Sequence, residues 1–426
     1  MDAAVPTETT VRPGLHYGWV VAGATFLSGL IMAGAVGAPG IFIIPLQKEF
    51  GWTTSDISAA LAIRFFLFGI IAPFAAALMN KYGVRKVALV AQAIVAACLI
   101  ASLWMTSLWH LLLLWGVGVG VGTGMTALVL GATVATRWFV ARRGLVVGVL
   151  TASVATGQLI FLPLLTSLAV AYGWRVALMV VCAAVGCAAL IMLIVMRDRP
   201  SDVGLLPYGH EGPPPVIPPA TASITAAAFG ALRDAARTRA FWILFGTFFI
   251  CGASTNGLIQ THFIPMCVDF GLTQTSAAGL LAAIGVFDFV GTIVSGWLSD
   301  RYDNRWLLFW YYGLRGLSLV FLPFTDFTFF GLSIFAVFYG LDWIATVPPT
   351  VKLTAQKFGA ERANLVFGWV FAGHQIGAAM AAFAAGFSRT MLATYLPAFF
   401  AAGALCLVAA IAVLMIEQRR QAAAAA

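Results

Sequence analysis

The sequence predicts an all-α membrane protein of twelve transmembrane helices, arranged as two six-helix pseudo-symmetric halves. Three observations carry this. Of 426 residues, 61% are hydrophobic and only 9% are charged, where a soluble domain carries about 25% charged residues. Apolar runs of about 20 residues recur along the chain, the length that crosses a bilayer as a helix. The two halves also repeat each other at a constant offset. A soluble protein with a very large core does not fit the charge deficit. A membrane β-barrel would need short alternating segments, and these runs do not alternate.

The candidate spans, in order, are 18–45, 56–79, 87–105, 110–135, 145–169, 175–196, 240–264, 275–299, 306–325, 328–351, 364–388 and 393–415. Residues 1–17 are polar and hold only Arg12, so no cleavable signal peptide is expected. Residues 197–239 form the one long polar connection. Its Pro-rich centre, "GPPPVIPPATAS", has the composition of a flexible linker. It divides the chain into a six-helix bundle at 1–196, a linker at 197–239 and a second bundle at 240–426. The bundles align at one register: Pro45, Phe50 and Gly51 fall on Pro265, Phe270 and Gly271, Gly37 on Gly257, Gly120 on Gly340, and Gly148 and Gly157 on Gly368 and Gly377. "NKYGVR" (80–85) falls on "DRYDNR" (300–305). One offset through several loops and helices indicates an internal repeat.

Charge sets the orientation. With both termini and every second loop on one side, that side carries 19 of the 24 Lys and Arg, among them Lys81, Arg85, Lys86, Arg142, Arg143, Arg301, Arg305, Lys357 and Arg362. The other side carries Lys48, Arg175 and Arg389, and Arg64 and Arg315 lie within spans. The positive side is predicted to be cytoplasmic, as are both termini, in a multi-pass protein of the cell inner membrane. The net charge of +8 then reflects topology, and no nucleic-acid partner is expected. Cys98, Cys182, Cys187, Cys251, Cys267 and Cys406 fall in or beside apolar spans without metal or disulfide spacing. "GVGVGVGTG" (116–124) lacks the Lys-Ser or Lys-Thr ending of a nucleotide loop and suits close helix packing instead. With no Walker sequence, metal constellation or catalytic triad, neither an enzyme nor a cofactor is expected.

Parallel six-helix repeats joined by a linker are the architecture of major facilitator transporters, with a central site and alternating access. "GWLSDRYDNR" (296–305) resembles that superfamily's cytoplasmic signature, Gly-x-Leu-x-Asp-Arg-x-Gly-x-Arg, with Asp303 in place of its second Gly. "ALMNKYGVRK" keeps Gly83 and Arg85, while Ala76 and Asn80 replace the Gly and the Asp. The resemblance implies cytoplasmic gating by Asp300, Arg301 and Arg305 in one half and Gly83 and Arg85 in the other. A solvated basic turn is the alternative. "HYGWVVAGATF" (16–26), "GIFIIPLQKEFGW" (40–52), "RWFVARRGLVVG" (137–148) and the spacing of Gly157, Pro163 and "YGWR" together resemble the monocarboxylate porter family. In the eighth span that family often reads Phe-x-Asp-x-x-x-Arg. Here Asp288 matches with Phe287 directly before it, and Thr292 stands at the Arg position expected to bind a carboxylate.

Ionisable residues at bilayer depth are functional candidates, since each costs about 2.5–3.5 kcal/mol on insertion scales. Arg64, Asp288, Arg315, Asp342 and His374 qualify. At about 1.5 Å per helical residue, the last four lie roughly 15–18 Å from the cytoplasmic edge, and Arg64 lies nearer the outside. Asp288 and Arg315, on consecutive spans at one depth, are expected to pair, as a structural ion pair or as a proton-sensitive one. Asp342, placed mid-helix after "FYGL", is a candidate proton carrier or polar ligand. Arg64 either snorkels outward or attracts a carboxylate. His374, Tyr339, Asn256 and Gln158 are candidate substrate-binding residues, each with interhelical hydrogen bonding as the alternative.

The expected function is secondary active transport: proton-coupled uptake of a small organic monocarboxylate by a monomer in the lipid bilayer. A cation or drug exporter of the same fold would use Asp288 or Asp342 as its cation site, but "GVLTASVATGQLIFLP" lacks the Gly-Pro of the antiporter signature. A non-transporting membrane sensor or scaffold would usually add a soluble signalling domain, and none is evident.

Overall fold

A computed structural model describes residues 15–37, 39–210, 223–299 and 301–417. Among them are twelve helices long and apolar enough to cross a membrane. The first span, Tyr17–Gly37, is followed by Pro39–Phe50, and the second, third, fifth and sixth are Thr54–Tyr82, Val84–Ala101, Arg143–Tyr172 and Trp174–Val195. The fourth runs as Leu108–Leu111, a π-helical stretch Leu112–Val119 and Gly120–Trp138. The seventh runs as Arg239–Gly252, a π-helical stretch Ala253–Gln260 and Thr261–Asp269. The eighth, ninth, eleventh and twelfth are Gln274–Ser299, Asn304–Phe321, Ala360–Leu392 and Leu396–Leu414. The tenth is broken into Phe329–Asp342 and Val347–Phe358.

Local chemistry fixes the ends. Thr53 and Asp56 cap the second span reciprocally: the Thr53 hydroxyl accepts from Asp56 N at 3.1 Å and the Asp56 carboxylate accepts from Thr53 N at 2.9 Å. Gly83 and Gly173, at φ +91° and +88°, turn the chain between the second and third and between the fifth and sixth spans, a conformation that glycine adopts without a Cβ clash.

Residues 15–17 and 416–417 lie on one face with the connection between the halves. The Tyr17 hydroxyl donates to Val195 O at 2.6 Å, and Arg305 donates to Ile416 O at 2.9 Å. We call this the terminal face. The residues expected to form a flexible linker are ordered on both flanks of its Pro-rich centre. Tyr208 N donates to Trp138 O at 2.8 Å, and its ring meets His16, Trp19 and Phe139. Ile224–Ala235 is a helix that buries Ala228, Ala231 and Ala235, and Trp369 Nε1 donates to Ala228 O at 2.9 Å. Packing of these flanking aromatics and alanines overrides the composition signal; residues 211–222 lie outside the described residues.

The halves meet where the second span packs on the eleventh and the fifth on the eighth. At the face opposite the termini one apolar core runs through both halves, uniting Ile41, Phe42 and Leu46 with Phe263, Ile264 and Leu281. There Gln274 Nε2 donates to Ile41 O at 2.8 Å and Ser55 N donates to Thr390 Oγ1 at 3.1 Å. Toward the terminal face the core divides. One cluster is built from the first six spans around Met79 and Trp138, and another from the last six around Tyr312 and Val370, with Phe74 reaching across to Trp369. The molecule is thus sealed across its halves at the opposite face.

Backbone proximity inside the second half is close. A Cβ on Gly252 would lie 1.7 Å from His374 O, whereas one on Gly246 in the same helix would meet nothing within 4 Å. Gly252→Ala is expected to lower the melting temperature, corresponding to about 1–3 kcal/mol or more, while Gly246→Ala leaves it unchanged. Equal melting of the two variants in detergent would contradict this packing.

Candidate functional site

The break in the tenth span organises the buried charges. Pro348 and Pro349 follow it directly, and proline lacks an amide hydrogen and disfavours helix in the preceding residue. Residues 343–346 therefore leave the helical ladder at membrane depth, where each freed backbone group needs a partner. Arg315, from the ninth span, supplies donors: one nitrogen reaches Asp342 O at 2.6 Å and Trp343 O at 3.0 Å. Its Nε donates to Asp342 Oδ2 at 2.6 Å and its other terminal nitrogen to Cys251 Sγ at 2.9 Å. Asp288, from the eighth span, supplies the acceptor: its Oδ1 takes Ile344 N at 2.8 Å and Thr292 Oγ1 at 3.1 Å. Ser295 Oγ donates to Ala345 O at 2.5 Å.

The expected Asp288–Arg315 pair is therefore replaced by an Arg315–Asp342 pair, with Asp288 serving the backbone amide. Depth along the helices placed all three groups in one layer, but rotation about each axis and the break decided the partners. Asp342 likewise ends a half-helix and is not mid-helix. All three side chains are buried. Asp342 Oδ1 is buried with no hydrogen-bond partner among the described residues.

The softer candidates separate. The Tyr339 hydroxyl donates to Ser254 O at 2.8 Å, so this buried phenol ties the tenth span to the π-helical stretch of the seventh. His374 is buried between Phe248 and Phe371, with ring centroids 4.7 and 5.7 Å away, and its Nδ1 has no partner among the described residues. Asn256 is half-buried in the same π-helical stretch, and its carbonyl accepts from Thr261 Oγ1 at 2.8 Å. The side chain of Gln158 lies outside the described residues. Arg64 is 2% exposed, with its guanidinium carbon 4.9 Å from the centroid of the Phe65 ring. Its backbone packs on Gly120 of the fourth span. Among the described residues it is the buried charge of the first half.

Several buried polar groups carry no formal charge and so do not stand out in the sequence as intramembrane ions do. His262 is fully buried, with its Nε2 2.8 Å from Ala382 O. Gln375 packs on Gly69 across the halves, and its Oε1 has no partner among the described residues. Cys251 is an acceptor for Arg315 instead of simple packing. "LIQTHFIP" and "GHQIG", polar letters within apolar spans, are the signal that could have found the first two. Among the described residues no group of three His, Cys, Asp or Glu is placed to hold a metal ion.

A family model described as Major Facilitator Superfamily matches residues 25–382 and, again, 265–425. The chain belongs to that superfamily. Monocarboxylate transporter 13 of Rattus norvegicus is 28% identical over 407 residues, which cover 93% of this chain and 88% of that protein. Monocarboxylate transporter 12-B of Danio rerio is 25% identical over 417 residues, 92% of this chain and 85% of that protein. An uncharacterized MFS-type transporter, YcxA of Bacillus subtilis (strain 168), is 23% identical over 389 residues, 89% of this chain and 90% of that protein. The protein is thus a multi-pass membrane transporter related, at low identity, to monocarboxylate transporters.

The superfamily signature also takes a definite form. Arg301 stacks on Trp297, 4.1 Å from the ring centroid, and donates to Trp297 O at 3.2 Å. Arg305 pairs with Asp303 at 2.7 Å besides binding Ile416 O. Asp300 lies outside the described residues. In the first half, where Asn80 replaces the acid, the carboxylate beside the turn is that of Asp198, from beyond the sixth span. Its carboxylate accepts from Arg85 N at 2.8 Å and fills the space beside Gly83, where a Cβ would lie 2.5 Å from Oδ2. The Arg85 side chain binds Leu193 O, and Arg137 donates to Met79 O at 3.2 Å and Asp198 O at 3.4 Å. These contacts of Arg85, Arg301 and Arg305 lie within their own halves.

Proposed function

We propose that the protein carries a small organic monocarboxylate together with protons across the inner membrane by alternating access, with the terminal face cytoplasmic. The observation that carries the carboxylate assignment is a guanidinium buried in each half. Arg315 holds Asp342, two backbone carbonyls and Cys251. Arg64 stands in the other half, and a guanidinium there offers the planar fork that a carboxylate matches. The names of the relatives that cover most of the chain support the same substrate class. The positive charge of the terminal face supports its cytoplasmic placement.

Asp342 is the group we assign to the proton. Protonation of its carboxylate would weaken the hold on Arg315 and loosen the broken tenth span, coupling charge to helix movement. The core that is shared at the opposite face and divided at the terminal face suits halves that rock about a central site. Gating at the terminal face by Gly83, Arg85, Arg301 and Arg305, together with Asp300, belongs to the same reading.

Uptake of radiolabelled lactate and benzoate into proteoliposomes tests it. For one proton per anion, an inward gradient of one pH unit sustains about tenfold accumulation. A protonophore should abolish that accumulation. Uptake of both acids indifferent to gradient and protonophore would sink proton coupling.

A further inference from the structure

A polar pocket lies at the opposite face, in the seam between the halves. Its volume is about 480 Å³, within the range of small-molecule sites. Gln47, Lys48, Thr53 and Thr54 of the first half face Asp269, Arg389, Thr390 and Tyr395 of the second. Its charge is net positive: Lys48 and Arg389 against Asp269. Asp269 is already committed, since Arg389 Nε donates to Oδ2 at 2.6 Å and a terminal nitrogen to Oδ1 at 3.1 Å. Glu49, the acid beside Lys48 in sequence, is held by Arg175 and Trp174 Nε1, each at 2.5 Å. Neither acid is left to neutralise the exposed Lys48 ammonium. Burial, and then Asp269, push the Tyr395 phenol above its usual range, so it keeps its proton as a donor.

From this geometry we infer a second anion site, a subsite for a small carboxylate at the opposite face, with Lys48 as its cation and Arg389 and Tyr395 as neighbouring donors. The inference rests on the carboxylate reading above, but not on Arg64. Its walls come from both halves, so the site exists only while that face is closed. The Ser55 N to Thr390 Oγ1 bond at 3.1 Å spans the same seam. A ligand that binds one conformation alone shifts the population toward it. An occupant of this pocket therefore holds the opposite face shut and slows transport, so that high outside concentrations of the acid inhibit their own uptake.

The test is acylation of Lys48 in the detergent-solubilised full-length protein by an amine reagent, read by mass spectrometry, with benzoate, acetate and lactate as probes. At twice its dissociation constant a bound carboxylate leaves about one third of the sites free, so Lys48 should react about threefold more slowly. Exposed Lys81, on the terminal face, should react unchanged. Gly386→Trp supplies the second arm. A Cβ there would lie 2.3 Å from Ser58 Oγ and 3.0 Å from Thr54 O, so the indole wedges the seam apart and protection should vanish. Lys48→Gln should also relieve inhibition by high outside acid. Lys48 acylation unaffected by all three probes in the parent overturns the subsite, as does protection that persists in Gly386→Trp. Because Lys48 is read directly, loss of protection with intact proton-driven uptake rejects the subsite alone. Protection without such uptake rejects the transport reading alone.

Discussion

Arg315→Gln is expected to remove most of the folded protein from membranes. The substitution strands the Asp342 carboxylate in the interior and deprives Asp342 O and Trp343 O of their charged donor. Breaking a buried pair by removing one partner costs about 3–5 kcal/mol, a large share of the stability of a typical domain. Asp342→Asn is expected to be nearly as harmful, because it leaves the guanidinium uncompensated. The double variant Arg315→Gln with Asp342→Asn should recover yield relative to either single one. Asp288→Asn should be milder, since an amide oxygen still accepts from Ile344 N. The coupling energy in a double-mutant cycle is expected to be larger for Arg315 with Asp342 than for Arg315 with Asp288. The measurement is folded yield and melting temperature by size-exclusion-coupled thermal scanning. The opposite order of coupling would restore the partner expected from depth alone and contradict the geometry of the break.

Arg64→Gln is expected to abolish carboxylate binding while sparing the fold. A guanidinium binds a carboxylate through two parallel hydrogen bonds, and an ammonium offers only a point charge. Arg64→Lys should therefore bind weakly and Arg64→Gln not at all. A hydrogen bond to a charged group contributes about 1.5–3 kcal/mol, which corresponds to a loss of roughly 10- to 150-fold in affinity. The check is the melting shift produced by lactate and benzoate in the parent and the two variants, beside their unliganded melting temperatures. Binding by Arg64→Gln equal to that of the parent would move the carboxylate site into the second half, around Arg315 and His374.

The turn between the second and third spans shows how far local motifs reach. The signature at 77–86 keeps its glycine and arginine. The carboxylate beside it is that of Asp198, more than 110 residues away along the chain, which accepts from Arg85 N. A sequence window centred on the motif does not contain it. His262 and Gln375 are hard to read from sequence for another reason: neutral polar groups carry no formal charge to mark them, although burial makes them just as dependent on a partner.

The number of spans, the repeat and the polar residues placed within the membrane are all legible in the sequence. Those properties depend on hydrophobic length, composition and register, all of which are one-dimensional. That Arg315 answers Asp342, and Asp288 the amide of Ile344, depends on how the helices pack in three dimensions. The tenth span breaks ahead of Pro348 and Pro349, and the break exposes carbonyls and amides that claim charged side chains from the eighth and ninth spans. Depth along a helix follows from counting residues. The direction a side chain points, and the backbone groups it must satisfy, depend on how neighbouring helices are rotated and where they are interrupted.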